Sequence, residues 1–184
     1  MSELGVAFVC TGNRFRSPLA AALLAQQTQG LPVRIASLGT LDLGSEPALP
    51  EAIEIGRGLG LDLEAHRARS LAGVDLRPFD LVLGFERKHL LASVVDANAT
   101  IERSFTLPEL VELLRHIPGP PLPTDLVERA RVRVRQAHLA RPPGFRDRPM
   151  AELTDPLGKT IAAQREIAGE IARMISELAH GLFG

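Results

Sequence analysis

Residues 4–18, LGVAFVCTGNRFRSP, pass from a short apolar run through a glycine-containing turn into a Ser-Pro pair. The apolar run suits a buried strand, and Ser17-Pro18 suits a helix start, with Ser17 as N-cap and Pro18 at the first helical position. The alternation continues along the chain. Strand-like segments recur at 33–37 (VRIAS), 80–84 (DLVLG) and 103–107 (RSFTL), with helix-like ones at 49–59, 86–95 and 108–116. Thr160 to Leu182 carries Ile167, Ile171, Met174, Ile175, Leu178 and Leu182 at helical spacing. This order predicts an α/β fold in three layers: a four-stranded parallel sheet, helices on both faces, and a binding loop after the first strand.

The length of 184 residues and an apolar fraction of 45% suit a single domain over 1–184. A net charge of −1 argues against general nucleic-acid affinity. The longest apolar run, LAAALLA at 19–25, is too short to span a bilayer, and MSELG has no basic leader character. These features predict a soluble, cytoplasmic protein that binds neither nucleic acid nor membrane. Cys10 is the one cysteine, which leaves no internal disulfide and no zinc cluster.

The irregular part is 117–149, read as an insertion. IPGPPLP at 117–123 is a proline-rich connector, and 129–148 holds seven arginines against one acid, Asp147. A solvated helix with an exposed loop is one reading. A basic docking surface that attracts acidic substrates is the other.

Cys10 on its own could be a small hydrophobe ending a strand. Its setting points elsewhere. Strand, Gly12 turn and helix N-terminus form a nest of backbone N–H groups aimed at one spot, where a phosphate dianion fits. Arg16, six residues on, offers a planar fork for two phosphate oxygens. The same positive field favours the thiolate, the form that attacks phosphorus.

The loop CTGNRFRSP resembles that of the low-molecular-weight protein tyrosine phosphatases, whose pattern is Cys-x-Gly-Asn-x-Cys-Arg-Ser-Pro. SLGT at 37–40, GLDLEAHRARSL at 60–71, DLVLGFERKH at 80–89 and LTDPLG at 153–158 are similar to further segments of that family. The likeness covers about 1–115 and 150–184 and weakens over 117–149. It implies a phosphatase without metal or organic cofactor that works through a phosphocysteine. Its substrate would be a phosphorylated protein or small phosphoester, with inorganic phosphate and vanadate as inhibitors. Cys10 would be the nucleophile and Arg16 the phosphate clamp. Thr11, Gly12, Asn13, Arg14, Phe15 and Ser17 would line the substrate. Asn13 would hold an unusual backbone conformation, Ser17 would donate to the thiolate, and Ser37 and His66 would support Asn13 from behind.

Phosphoester cleavage needs a proton for the leaving oxygen and then a base for water, and one loop carboxylate can serve both steps. Asp155, before Pro156, is the candidate; read from the residues alone, it could equally cap the helix that follows. The resemblance favours the acid. Asp147, flanked by arginines, is the weaker candidate.

Three departures from the family pattern bear on substrate. Phe15 replaces the second cysteine, so oxidised Cys10 has no internal partner; this argues against a thioredoxin-coupled arsenate reductase but leaves one using a small-molecule thiol. Leu157 and Leu43 stand where aromatic walls are common, leaving an aliphatic rim apart from Phe15 and Phe85. Thr11 follows the nucleophile, as in the branch that dephosphorylates protein arginine, which makes phosphoarginine an alternative to phosphotyrosine. A phosphate-binding module without turnover is the alternative outside enzymes.

Overall fold

The computed structural model describes residues 3–117, 123–145 and 148–184. Four strands, β1 (Leu4–Cys10), β2 (Val33–Gly39), β3 (Leu81–Gly84) and β4 (Ser104–Thr106), form one parallel sheet in the order β2-β1-β3-β4. Six helices accompany them: α1 (Arg16–Gln27), α2 (Pro50–Gly58), α3 (Arg87–Ala97), α4 (Leu107–His116), α5 (Leu126–Leu139) and α6 (Ile161–Phe183). The expected α/β sheet with helices on both faces is present, and the predicted elements fall within about two residues of their observed limits.

Alternation along β1 explains the layering. Leu4, Val6, Phe8 and Cys10 point into the larger core, which α1, α2, α4, α5 and α6 cover. Ala7 and Val9 point into a smaller one closed by Ala97 and by Leu71, Leu76 and Phe79. Because β1 is buried along its whole length, it reads as a continuous apolar run rather than an alternating one. The carboxyl ends of β1 and β3 meet at one edge of this core, and both run directly into helices. Loops after adjacent parallel strands converge there, which is where such sheets bind ligands.

The arginine-rich segment corrects the sequence reading. Its helix, α5, is capped by Asp125, whose side chain accepts from the Glu128 N–H. Arg135 is exposed, but four other arginines of the segment are held by carbonyls or carboxylates. Arg129 donates to the Phe183 and Gly184 carbonyls, and Arg131 pairs with Asp80 and Glu128. Arg133 reaches the carbonyls of Gly181, Leu114 and Ile117. Arg141 is buried between the rings of Phe105 and Phe145 and bonded to Glu109. The connector at 118–122 and the acid candidate Asp147 lie outside the described residues. Among the described residues no helix is long and apolar enough to cross a membrane.

Candidate active site

Residues 10–16 turn tightly between β1 and α1, and Asn13 takes the left-handed conformation, φ 52°. An Asn tolerates that region better than most residues but not without cost, so the loop needs holding from outside. Three distant segments hold it. The Asn13 carbonyl accepts from His66 Nε2 (2.7 Å), and its side-chain oxygen accepts from the Arg69 N–H (2.8 Å). Thr40 and Leu41 donate backbone N–H groups to the carbonyls of Cys10 and Thr11, both at 2.9 Å, and Leu49 does the same for Arg14. Gly39 makes this possible: a Cβ there would stand 3.0 Å from the Asn13 nitrogen and the Gly12 carbonyl carbon. The SLGT and HRAR segments therefore brace the loop, largely through backbone.

Cys10 sits at the floor, 3% exposed. Its Sγ accepts the Asn13 N–H at 3.3 Å and lies 3.0 Å from Ser17 Oγ. Asn13 Nδ2 donates to that same hydroxyl oxygen at 2.8 Å. This use of Ser17 corrects the expected helix start. Helix α1 begins at Arg16, with Phe15 in the cap position and no side-chain cap bond, because the hydroxyl is drawn inward to sulfur. Pro18 falls at the third helical position, where a missing N–H still costs no helical bond. Ser37 is also corrected. It pairs with Phe8 in β2, whereas the Ser17 hydroxyl reaches the Leu38 carbonyl (3.3 Å) and the Asn13 side chain reaches Arg69. Of the two expected supports, His66 touches Asn13 and Ser37 does not.

Arg16 is 2% exposed and divides its fork between two carboxylates. Nη1 donates to Glu86 Oε1 (2.6 Å) and the Leu153 carbonyl (3.0 Å). Nη2 donates to Asp155 Oδ2 (2.5 Å) and, more weakly, to Thr11 Oγ1 (3.4 Å). Asp155, 139 positions away in sequence, is thus brought onto Arg16. It does not cap α6; Thr160 does, accepting the Ala163 N–H. The other Asp155 oxygen accepts the Leu157 N–H at 3.1 Å, which fixes the turn over the pocket. Phe85 does not belong to the rim. It is fully buried beneath Arg16, whose guanidinium carbon lies 5.7 Å from the ring centroid.

Two residues beyond the sequence reading complete the site. Burial pushes the Glu86 carboxyl up, but hydrogen bonds from Lys88 and Arg16, with the Arg16 charge, win and hold it below its ordinary value. It is a fixed counter-ion of Arg16. His89, fully buried, places Nε2 3.1 Å from Thr11 Oγ1. Burial first, and then the Arg16 charge, depress its pKa to about 4. His66 is lowered too, by burial against the opposing bond to Asn13 and with help from Arg67. The Glu86-x-x-His89 spacing was visible in sequence, but at a helix start it signals only a cap.

The mouth is a pocket of about 220 Å³ lined by Cys10, Thr11, Gly12, Arg14, Phe15 and Arg16, with Leu41, Leu43, Leu49, Asp155 and Leu157 as its upper wall. Arg14 turns outward to the Pro47 carbonyl (2.7 Å) and Glu46. A buried sulfur, a guanidinium fork and a carboxylate in one small pocket make a site for an oxyanion that can be attacked and protonated.

Known proteins share this fold and part of this sequence. In the low-molecular-weight protein tyrosine phosphatase of T. tengcongensis the same fold recurs, with TM-score 0.70, 25% identity and 97% and 99% of the two chains covered. The YwlE arginine phosphatase from Geobacillus stearothermophilus shares the fold at TM-score 0.69 and 23% identity, covering 96% of this chain and 91% of its own. In sequence the chain is 43% identical over 75 residues to the probable low molecular weight protein-tyrosine-phosphatase EpsP of Ralstonia nicotianae, covering 41% of this chain and 50% of that protein. It is 37% identical over 82 residues to Etp of Escherichia coli, covering 45% and 54%. The chain thus spans about half the length of the curated relatives it matches. The model of the low molecular weight phosphotyrosine protein phosphatase family matches residues 5–133, a span that carries the loop and every segment bracing it, and the chain belongs to that family.

Proposed function

We propose that the chain hydrolyses phosphotyrosine in proteins, and smaller phosphomonoesters, through a phosphocysteine on Cys10. The observation that carries this reading is the meeting of Cys10, Arg16 and Asp155 in one pocket. A module that only bound phosphate would have no use for a sulfur nucleophile and a carboxylic acid together.

The free site has Asp155 on Arg16 Nη2, where a phosphoryl oxygen is the natural replacement. As substrate enters, its oxygens take the fork, and Asp155, released from the guanidinium toward the leaving atom, takes up a proton from solvent. The Cys10 thiolate then forms the S–P bond while the P–O bond to tyrosine breaks, and Asp155 gives its proton to the departing phenolate. Water next attacks phosphorus, its proton returns to Asp155, and the S–P bond breaks to release phosphate. Arg16, held by Glu86 and the Leu153 carbonyl, stabilises charge on the equatorial oxygens in both steps. Ser17 and the Asn13 N–H receive the sulfur when it leaves again. The side chains of Phe15, Leu41, Leu43, Leu49 and Leu157 supply the apolar wall for a phenyl ring. Phosphate and vanadate should compete for the same fork.

Phosphate release from a phosphotyrosine peptide tests the reading. Cys10→Ser should abolish turnover and leave vanadate binding largely intact, while retained turnover would reject the mechanism. Asp155→Asn should slow turnover by roughly 10²–10⁴. It should also tighten phosphate binding, because the carboxylate that competes for Arg16 is gone. A loss under threefold would remove Asp155 from the proton path.

A further inference from the structure

Arg14 belongs to two cavities. It lines the mouth above Cys10 and also a neighbouring groove of about 450 Å³, whose floor is Pro47, Ala48, Pro50 and Ile53. Pro50, Ile53 and Arg57 share one face of α2. Leu49, just before α2, lines the mouth, so the groove leaves the mouth and follows the helix for two turns. That is about 10 Å, the length of three extended residues. The two prolines offer no backbone N–H, and the Pro47 carbonyl is taken by Arg14 Nε at 2.7 Å. The floor is therefore apolar. Each charged residue of the groove faces a partner, but not equally. Arg57–Glu64 and Glu54–Arg165 close at 2.8 Å, whereas Arg14–Glu46 stands open at 3.7 Å. Among the described residues, the bond to Pro47 is the one hydrogen bond of the Arg14 guanidinium. It fixes the group at the junction of the two cavities and leaves both Nη groups without an acceptor in bonding range.

We infer that this groove reads the protein substrate beside its phosphotyrosine. Arg14 takes the carboxylate of an acidic residue within three positions of the phosphotyrosine, and the floor takes an apolar side chain next to that acid. The inference rests on the phosphatase reading above and adds which phosphoproteins are preferred. A polypeptide held by its phosphoryl group has to leave the pocket over the rim. Leu41, Leu43, Leu49 and Leu157 make that rim aliphatic, and Arg14 is the cation on it that turns outward. A planar guanidinium anchored through Nε presents its outer edge to a carboxylate without first having to be ordered. Glu46, whose side chain is 55% exposed and lies beyond hydrogen-bond range, gives way to the incoming acid and returns to water. The preference is for acid over amide at one position, because a single fork reads it. A phosphate ester with no flanking chain gains nothing from the groove.

The test uses the full chain and phosphotyrosine peptides carrying aspartate or asparagine at each of the three positions on either side. At one position aspartate should raise kcat/KM about fivefold over asparagine, and the advantage should shrink in high salt. Arg14→Gln should erase it, and Arg14→Glu should turn it into a preference for lysine. Glu46→Gln removes the competing carboxylate and should enlarge it about twofold. An aspartate advantage that survives Arg14→Gln, or none at any position, overturns the proposal. Should Arg14→Gln not fold, Glu46→Gln decides, and an unchanged ratio there overturns it. The floor is read by leucine against serine beside the acid. Leucine should win about threefold in wild type and lose that gain in Ile53→Ser; a gain that persists takes the floor out of the site and overturns the proposal. Turnover of p-nitrophenyl phosphate, which carries no flanking chain, checks the phosphatase reading separately. If that reading falls, binding of the labelled peptides to the wild type, followed by fluorescence anisotropy, decides the groove by the same ratio of aspartate to asparagine.

Discussion

Arg16 in the loop after β1 and the arginines of α5 meet different acceptors, and the difference separates an exchangeable contact from a structural one. Arg16 is buried and bonded on one side to Glu86 and the Leu153 carbonyl, on the other to Asp155, which is 36% exposed. The second partner can be exchanged for another anion at little cost, because it is charged, meets Arg16 through one oxygen only, and is at the surface. Arg129 and Arg133 instead close the C-terminal ends of α6 and α4, on the carbonyls of Phe183, Gly184, Gly181 and Leu114. Helix C-termini carry unsatisfied carbonyls and partial negative charge that attract guanidinium groups. Those carbonyls belong to packed backbone and cannot step aside for a phosphate.

The largest effect should come from breaking the fork of Arg16 while keeping its charge. Arg16→Lys leaves Glu86 with a partner but replaces two coplanar donors with a point charge. We expect kcat/KM toward a phosphotyrosine peptide to fall by about 10³ and vanadate affinity to fall with it. The melting temperature should stay close to wild type. An equally large drop in melting temperature with unchanged vanadate affinity would place Arg16 with the structural arginines.

The contrast also marks what sequence could reveal. Cys10, Asn13 and Arg16 lie within one loop between a strand and a helix, all inside residues 4–27, so their spacing carries the site directly. Asp155 stood out only through the family resemblance, since the residues alone left it equally a helix cap; in the structure Thr160 takes that cap and Asp155 meets Arg16. The supports were harder. Support for Asn13 comes from the backbone of Arg69 as much as from His66, and a backbone N–H leaves no signature in a side-chain motif. Ser37 came from the family resemblance, yet in β2 it is the neighbouring Leu38 carbonyl that meets the Ser17 hydroxyl and the Gly39 N–H that meets the Arg69 carbonyl. Glu86 and His89 were hidden behind an ordinary capping pattern. The arginines of α5 were read by charge alone, although many of their partners are carbonyls far away in sequence, 55 positions for Arg129 and Gly184 and 128 for Arg131 and Glu3.

Acid should separate the two regions next. His89 is held at about 4, below the ordinary 6.5, so the unfolded chain takes up a proton that the folded chain refuses. The resulting stability is complete above pH 6.5 and is lost as pH falls toward 4, by on the order of 3 kcal/mol. His66, also lowered, acts with the same sign. The carbonyl acceptors of α5 do not titrate in this range. Urea unfolding at pH 7 and pH 4.5 should show this loss in wild type and a clearly smaller one in His89→Asn. An unchanged pH dependence in the variant would assign the acid sensitivity elsewhere.

The smallest effect concerns the basic helix and decides whether its charge serves substrates at all. Arg133 is half-buried and makes three carbonyl contacts across two helix ends, whereas Arg135, two residues on, is exposed. Arg133→Ala should cost about 1–2 kcal/mol in urea unfolding, since water can reach and partly satisfy the freed carbonyls. Arg135→Ala should stay within about 0.5 kcal/mol of wild type. Both variants should keep kcat/KM toward acidic phosphotyrosine peptides within about twofold, because neither side chain lines the pocket at Cys10. If instead either variant slowed turnover without losing stability, and more so at low salt, the arginines of α5 would be steering acidic substrates, and their carbonyl contacts would not be their main employment.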